Sequence, residues 1–484
     1  MPSYHMPLAL VALLAPISAP LFAQPESILP PPAQSTVVAP PTIDAAPPVL
    51  PPLPPQPLPK LNEAQTSYLR DWLADGARQG LTSGSTKSYA SLSGEALARA
   101  AIDRAVALRR GRVDTADFLA IWALRPEAFD PVPGFTAAVQ GDKLQSWAAA
   151  LTPRYSGYEN LREGLSRYEA IRDKGGWKAI TTKSPPADVR ARLGIEDDEV
   201  GADVPLAAAI QRAQKRYGLE PTGMLGARTV AALNVPVGDR IAAIMANMER
   251  CRWLPRSLPV DRVQVNIAAA IVTVFEGDRP VSSMRGVTGG VGNETPMLMS
   301  SIHSIVVNPP WNVPTSIAKR ELWPKGRAAL IRQGYKIVGT PESGERIVQP
   351  AGPGSALGRL KFDFDNPFAV YLHDTPSRAK FNSYDRLASH GCIRLEKPVD
   401  LAEYMLRSDP KLSGRVGELI DTGKTQRVSL PNKVAVYLLY WTAFASGTGT
   451  MNFRDDPYGW DKLLADKIDA STRRAQAAVR AYKD

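Results

Sequence analysis

The stretches YLHDTP at residues 371–376 and SHGCIRL at residues 389–395 decide the fold of the C-terminal half of the chain. Each contains a short apolar run next to a residue suited to catalysis: His373 ends the first run, and Cys392 precedes the second. Both runs are predicted strands. If the second strand begins near Cys392, the two side chains meet across the 18-residue connection. Gly391 permits a tight turn there, so the amides around the thiol can point at a developing oxyanion.

A cysteine and a histidine placed in this way suit nucleophilic catalysis. A free thiol has a pKa near 8.5, so only a few per cent of it is thiolate at pH 7. An imidazole that takes the thiol proton raises the reactive fraction and later returns the proton to a leaving amine. Neither S-x-x-K nor G-x-S-x-G surrounds Ser389, so we assign this serine to hydrogen bonding within the loop.

Period-two hydrophobicity predicts a β-rich domain around these stretches. Predicted strands cover residues 262–275, 281–288, 301–307 and 369–372, and the turn at 276–278 makes a hairpin of the first two. The apolar run at residues 434–445 is 12 residues long, which is short for a membrane span and typical of a buried strand.

An insertion between Pro310 and Lys361 interrupts the strand pattern with helical character. Glu321 is the one acid in its helical stretch, which carries six basic residues: Lys319, Arg320, Lys325, Arg327, Arg332 and Lys336. Such a segment suits a lid over a site for carboxylate-bearing substrates. An exposed helix face would have the same composition, so both interpretations stay open.

The N-terminal half has helical periodicity. Residues 60–183 read as a helical scaffold, and residues 203–235 as two helices joined by a loop with two glycines. The latter unit, with IQRAQ, YGL, PTG and RTVAALN, resembles the peptidoglycan-binding domain of cell-wall enzymes. A packing module without a ligand is the alternative.

The catalytic stretches resemble a known family closely. His373, fifteen intervening residues and then Ser389-His390-Gly391-Cys392 match the signature of the L,D-transpeptidases with a YkuD-type catalytic domain. Arg394 stands where that signature usually has Asn, as in the large Gram-negative YcbB-like branch. Further matches in this sequence are NPPWNVPTSI (308–317), PAGPGSALGRLKFDF (350–364), YWTAF (440–444) and NFRDDPYG (452–459), so the resemblance covers most of residues 60–460.

The resemblance implies a multidomain α+β protein: a mainly β, YkuD-like sandwich with an inserted helical lid, a helical scaffold and a small helical peptidoglycan-binding domain. It implies that Cys392 is the nucleophile and His373 the general base and acid. Gly391 and Cys392 would supply the oxyanion hole, supported by His390 and Ser389, and Tyr371, Arg394 and Trp311 would contact substrate. A structural histidine is the alternative for His390. No metal or other cofactor is expected.

The implied reaction is peptidoglycan 3→3 cross-linking through a cysteine thioester, with release of D-alanine from a tetrapeptide donor stem, and sensitivity to carbapenems. The partners would be peptidoglycan stem peptides and glycan, with no nucleic acid. An L,D-carboxypeptidase or endopeptidase shares the acyl-enzyme, so the motif does not separate it from a transferase. A non-catalytic wall-binding protein on the same fold is a third possibility.

The N-terminal residues predict export to the periplasm. Residues 6–23 are apolar, contain three prolines and end in a small residue, as a cleaved signal peptide does; an uncleaved anchor that keeps the protein near the membrane is the alternative. Residues 25–59 contain 14 prolines in 35 positions, which favours a stiff, extended tether.

Length and composition indicate a multidomain chain. The 484 residues are too many for one ordinary domain, and the net charge of +10 permits a polyanionic partner without identifying one. Two cysteines exclude a disulfide scaffold; we expect both to be free, because a disulfide to Cys251 would inactivate Cys392. The predicted segments are a signal peptide (1–23), a tether (24–59), a scaffold domain (60–184), a peptidoglycan-binding-like domain (185–250), a catalytic domain (258–425) with its lid at about 310–361, and a C-terminal strand and helix extension (426–484).

Overall fold

The computed structural model describes residues 57–81, 89–447 and 449–481. The predicted signal peptide and all but the last three residues of the predicted tether lie outside these ranges. Within them, no single helix has the length and apolar character of a membrane span; one pair, Ala227–Leu233 and Val237–Cys251, bent by 76°, meets both criteria when taken together.

Six helices make up the N-terminal region because their apolar residues recur at spacings of three and four. In the second helix Leu97, Ala101 and Leu108 are buried, and the first helix begins with a capping box between Asn62 and Gln65. The helices are α1 (Glu63–Ala74), α2 (Gly94–Arg110), α3 (Pro131–Gln140), α4 (Leu144–Ala149), α5 (Ser156–Asp173) and α6 (Pro186–Gly194).

Three further helices, α7 (Leu206–Arg216), α8 (Ala227–Leu233) and α9 (Val237–Cys251), lead to the sheet. The Gln214 side chain holds the α7–α8 loop, since its amide nitrogen donates to the Met224 carbonyl at 3.0 Å and its oxygen accepts from Gly223 N–H at 2.9 Å. Helix α9 packs against α5 and so joins the small helical unit to the scaffold.

The C-terminal half is built on a nine-stranded mixed sheet with the order β10-β3-β11-β9-β8-β4-β12-β1-β2. Strand β3 also pairs with β2, so the ladder closes around an apolar core, with β10 added beside β3. The strands are β1 (Asp261–Asn266), β2 (Ile271–Glu276), β3 (Arg279–Gly289), β4 (Leu298–Val307), β8 (Leu360–Phe364), β9 (Leu372–His373), β10 (Leu387–Ser389), β11 (Ile393–Leu395) and β12 (Gln426–Leu439).

The two sides of this sheet differ in chemistry, as the alternation in the sequence predicts. On β8, Leu360, Phe362 and Phe364 are buried in the core, while Lys361 and Asp363 lie on the opposite face. That opposite, outer face carries the residues of the candidate active site.

Two sequence predictions about strands are wrong in detail. Residues 262–275 form two strands, because the chain turns at Ile267–Ala270, where Ala270 adopts a positive φ of 49°. Strand β12 pairs with β4 and with β1, so it is a central strand of the catalytic sheet and not part of an extension that begins at residue 426. The remainder of that segment contains the hairpin β13 (Ala443–Ala445) and β14 (Met451–Phe453) and the helix α14 (Trp460–Ala481).

The lid is mixed rather than helical throughout. Its helical part comprises α10 (Thr315–Ile317), a π-helical turn at Ala318–Leu322, a 3₁₀ turn at Trp323–Lys325 and α11 (Arg327–Arg332). A three-stranded sheet of order β5-β7-β6 completes it, with β5 (Trp311–Asn312), β6 (Lys336–Val338) and β7 (Arg346–Gln349). The α+β class, with a β-rich C-terminal domain and a helical N-terminal half, is confirmed.

Candidate active site

Strand register brings the two reactive residues of the sequence together. Strands β9 and β11 are parallel neighbours in which Leu372 pairs with Ile393 and His373 with Arg394. Partners at one register position point to the same face of a sheet, and successive residues alternate. The core-facing Leu372 and Ile393 therefore place His373 and Arg394 on the outer face. Cys392 directly precedes β11, and the charge of Arg394 acts on both its thiol and the His373 imidazole.

His373 is fully buried and is held in one orientation. Its Nδ1 hydrogen-bonds the backbone carbonyl oxygen of Asp374, and a carbonyl can only accept, so Nδ1 carries the proton. Nε2 is consequently the acceptor nitrogen, and it has no hydrogen-bond partner among the described residues. Burial, followed by the positive charges of Arg394 and Lys361, lowers the pKa of the imidazole to about 3.

Cys392 is equally buried, with no exposed surface. Burial raises the pKa of its thiol to about 12, although hydrogen bonds from Tyr371 and the charges of Lys361 and Arg394 act in the opposite direction. The ring of Tyr371 also lies 5.6 Å from the His373 ring, centroid to centroid. The resting pair is therefore a neutral thiol and a neutral imidazole.

The turn that leads into Cys392 is held by its own polar groups. The Ser389 hydroxyl donates to the Cys392 carbonyl at 2.5 Å and accepts from Gly391 N–H at 3.1 Å. Gly391 has a φ of 109°, which favours glycine, and its carbonyl accepts from the Thr295 hydroxyl at 2.8 Å. Because the Gly391 N–H is engaged within the loop, it does not point at an oxyanion in this conformation, contrary to the sequence expectation for that amide.

Cations flank the pair on the same face. Arg394 is buried, and its Nε and Nη2 lack hydrogen-bond partners among the described residues. Lys361, at the same register position as His373, lies 4.3 Å from the Tyr371 ring centroid and 2.7 Å from the Asp363 carboxylate. This concentration of positive charge suits a negatively charged substrate.

A cavity of about 260 Å³ adjoins the cations. Trp311 and Tyr371 line it together with Lys361, Asp363 and Arg427. Arg427 donates to the Asp363 carboxylate at 2.8 Å, so one acid bridges two bases at the cavity wall. The sequence prediction places Trp311, Tyr371 and Arg394 at the substrate, and the structure places the first two at this cavity and the third beside Cys392 and His373.

The lid reaches the catalytic turn through one polar contact. His390 Nε2 lies 2.8 Å from the Glu321 carboxylate, and both side chains are largely shielded from solvent. Cys392 has no exposed surface in this arrangement, so a substrate can reach the thiol only after the groups around it move.

Sequence reasoning missed Lys361, Thr295 and the partner of His390. The strict alternation of apolar and charged residues in LKFDF could have placed Lys361 on the outer face of the sheet. Thr295 and the partner of His390 could not be found in this way, because they depend on contacts between residues distant in sequence. His303, to which we assigned no catalytic role, lies half-buried with its Nε2 3.5 Å from the Asp365 carboxylate. Both cysteines are free, and Cys251 is buried at the end of α9.

Comparisons with known proteins found matches for three parts of the chain. Residues 260–420 match the family model of the L,D-transpeptidase catalytic domain (YkuD), residues 202–233 a peptidoglycan-binding domain and residues 63–165 a Scaffold domain. A Haemophilus influenzae protein named "Putative L,D-transpeptidase" is 30% identical over 237 residues, which are 45% of this chain and 48% of that protein. The chain thus spans about half the length of this curated relative.

Solved structures of similar chains were also found. An L,D-transpeptidase from Mycobacterium smegmatis is 15% identical over 37% of this chain and 58% of its own, with a TM-score of 0.21. One from Xylanimonas cellulosilytica is 16% identical over 54% of this chain and 97% of its own, with a TM-score of 0.18. Residues 260–420 are thus similar to the L,D-transpeptidase catalytic domain (YkuD), in a chain that also matches models of a Scaffold domain and a peptidoglycan-binding domain.

Proposed function

We propose that this protein forms 3→3 cross-links in peptidoglycan through a thioester on Cys392. The observation that carries the proposal is a buried imidazole on β9, with no hydrogen-bond partner for its Nε2 among the described residues, and a buried thiol directly before the neighbouring strand β11. Nucleophilic catalysis needs a nucleophile, a base and a group that orients the base. Cys392, His373 and the Asp374 carbonyl supply these three roles.

The first half of the reaction is acylation. As the Cys392 sulfur attacks the carbonyl carbon of the third stem residue, the thiol proton passes to His373 Nε2. The tetrahedral intermediate collapses with cleavage of the amide bond, and His373 returns the proton to the departing D-alanine amine. A thioester remains on Cys392. The Cys392 N–H is the donor that we assign to the oxyanion, since Gly391 N–H is bound to Ser389.

The second half is aminolysis. An amine on a neighbouring stem attacks the thioester and gives up its proton to His373, and the thiolate leaves and is reprotonated. One amide is broken and one is formed, so the energy of the donor bond is conserved. That economy suits the periplasm, where we place the protein, because no ATP is present there to drive new amide bonds.

The substrate class is supported by the charge of the site. Stem peptides carry carboxylates; the charges of Arg394 and Lys361 act on the thiol, and Arg427 lines the adjoining cavity. The peptidoglycan-binding domain provides a means of holding the polymer while the stem reacts. With water in place of the amine, the same acyl-enzyme would make the protein an L,D-carboxypeptidase or endopeptidase.

The test is to incubate the purified protein with disaccharide-tetrapeptides and to follow the products by mass spectrometry, with Cys392→Ala as the matched control. A dimer that lacks one D-alanine, absent with Cys392→Ala, is the expected result. Loss of D-alanine without a dimer would indicate the carboxypeptidase. Identical behaviour of the wild type and Cys392→Ala would reject the catalytic assignment and leave a wall-binding protein.

A further inference from the structure

A second cleft of about 370 Å³ lies where the peptidoglycan-binding unit meets the catalytic sheet. Lys215 and Gly218, from the end of α7, form one wall, and Arg285 on β3 belongs to the other. Arg386, three residues before Ser389, and Arg454, just after β14, complete its cationic lining. No residue proposed for the chemistry at Cys392 lines this cleft.

The Arg454 side chain fits into the cleft because Gly218 has no side chain. Arg454 crosses between the two units and donates to the Arg216 carbonyl at 2.9 Å. A Cβ on Gly218 would lie only 2.6 Å from the Arg454 side chain, so the absence of a side chain there lets the guanidinium lie against the backbone. Gly218 also has a φ of 68°, which favours glycine for a separate reason.

Positive charge in the cleft exceeds the negative charge available to offset it. Four cations line the cavity, and Glu396 is the one acid among the lining residues. Glu396 is already engaged, because it accepts from Arg285 N–H at 2.9 Å and lies 3.7 Å from the Arg285 guanidinium. Arg386 is directed at backbone carbonyls of Ser383 and Ala269 rather than at a carboxylate.

The electrostatic consequence is mutual repulsion. Burial, followed by the charge of Arg386, lowers the pKa of Arg454 to about 10, and the nearby Asp455 offsets this only in part. Burial and the charge of Arg285 likewise lower the pKa of Arg386, against the attraction of Glu396 and Asp385. A bound anion would relieve this repulsion.

The position of the cleft relates it to the catalytic thiol. Cys392 and Glu396 flank β11, one directly before it and one directly after it, and Glu396 lies at the cleft. Cys392 and Glu396 are four positions apart in the chain, a distance of about 13 Å in an extended segment. An extended peptide of four residues spans about the same length.

We propose that this cleft binds the carboxylate groups of a peptidoglycan stem peptide while that peptide, or the stem beside it, occupies the site at Cys392. The proposal rests on the proposed function for the identity of the polymer. The cavity lining, its charge and its distance from the thiol together define the ligand as an anionic peptide.

The test uses the full chain with Cys392→Ala and measures binding of a disaccharide-tetrapeptide by calorimetry. Lys215→Gln/Arg285→Gln removes two exposed rim charges without touching the buried arginines. We expect about a three- to tenfold weaker affinity, from two rim contacts of modest strength. Lys143→Gln/Lys462→Gln, which removes two exposed charges outside the peptidoglycan-binding unit and the cleft, is the matched control and should leave the affinity unchanged.

Three further measurements separate the possible outcomes. A stem peptide with amidated carboxylates should bind equally well to the rim variant and to the control. Carbapenem acylation in the Cys392 background should be equal in both variants, because a small β-lactam does not reach the cleft. If the rim variant weakens peptide binding but the wild type makes no dimer, the cleft stands and the proposed function fails. Equal peptide affinity in the two variants, or a loss that persists with the amidated peptide, overturns the proposal.

Discussion

Lowering the pH from 8 to 4 tests whether His373 is the neutral base that the structure describes. Burial and the charges of Arg394 and Lys361 lower the pKa of its imidazole to about 3, so it remains mostly unprotonated at pH 4. An imidazole with its ordinary pKa of 6.5 would be mostly protonated, and a base-dependent rate would fall about 300-fold. For wild type we expect less than about a twofold loss over this interval, since only about a tenth of the base is then protonated.

The assay is the second-order acylation of Cys392 by a carbapenem, followed by intact-protein mass spectrometry, which reports ionisations of the free enzyme. Circular dichroism at each pH verifies the fold, and Cys392→Ala should give no adduct. Arg394→Met removes one of the two charges beside the imidazole and should move the acid limb to higher pH. A wild-type rate that declines tenfold per pH unit below 6.5 would refute the reasoning, because His373 would then titrate like an exposed imidazole.

Three other outcomes follow from the same geometry. Glu321→Gln weakens the contact between the lid and His390, which stabilises the closed arrangement by about 1 kcal/mol at this partial exposure. Iodoacetamide should therefore modify Cys392 about fivefold faster in this variant. An unchanged rate would mean that this contact does not restrain the lid. Cys251→Ala should lower the free energy of unfolding by about 1 kcal/mol in urea titrations, because it removes a buried side chain that packs in the core. Acylation of Cys392 should be unchanged. The pKa of His373 is lowered on folding, so below pH 6.5 the unfolded chain binds a proton that the folded chain does not. The free energy of unfolding should therefore fall as the pH falls below 6.5, by up to about 1.4 kcal/mol per pH unit. His373→Gln should remove this contribution to the pH dependence of the free energy of unfolding.

The reactive pair was predictable because its residues are local in sequence and their strands are short. His373 ends one apolar run and Cys392 precedes the next, which is enough to place them on neighbouring strands. The alternation in LKFDF equally fixes which side of β8 faces the core. These patterns depend only on the two-residue period of a strand.

The features that sequence reasoning missed lack such a local signal. The turn at Ile267–Ala270 contains no glycine or proline, and tertiary packing holds Ala270 at positive φ. The central place of β12 depends on pairing with β4 and β1, which are far away along the chain. The group that orients His373 is the backbone carbonyl of Asp374, and every residue has such a carbonyl, so the sequence does not single it out.

The cations beside His373 have two effects that change together when substrate binds. In the closed, empty site Arg394 and Lys361 disfavour a proton on the imidazole, which keeps Nε2 available but makes it a weak base. A substrate carboxylate placed near the same cations offsets their field, so the pKa of His373 should rise toward its ordinary value. The base would then be strongest when the thiol proton has to be taken. Burial lowers the pKa of the imidazole and raises that of the thiol, and both shifts disfavour proton transfer in the empty site. The negative charge of the bound substrate would oppose the shift of the imidazole at the step where the proton is transferred.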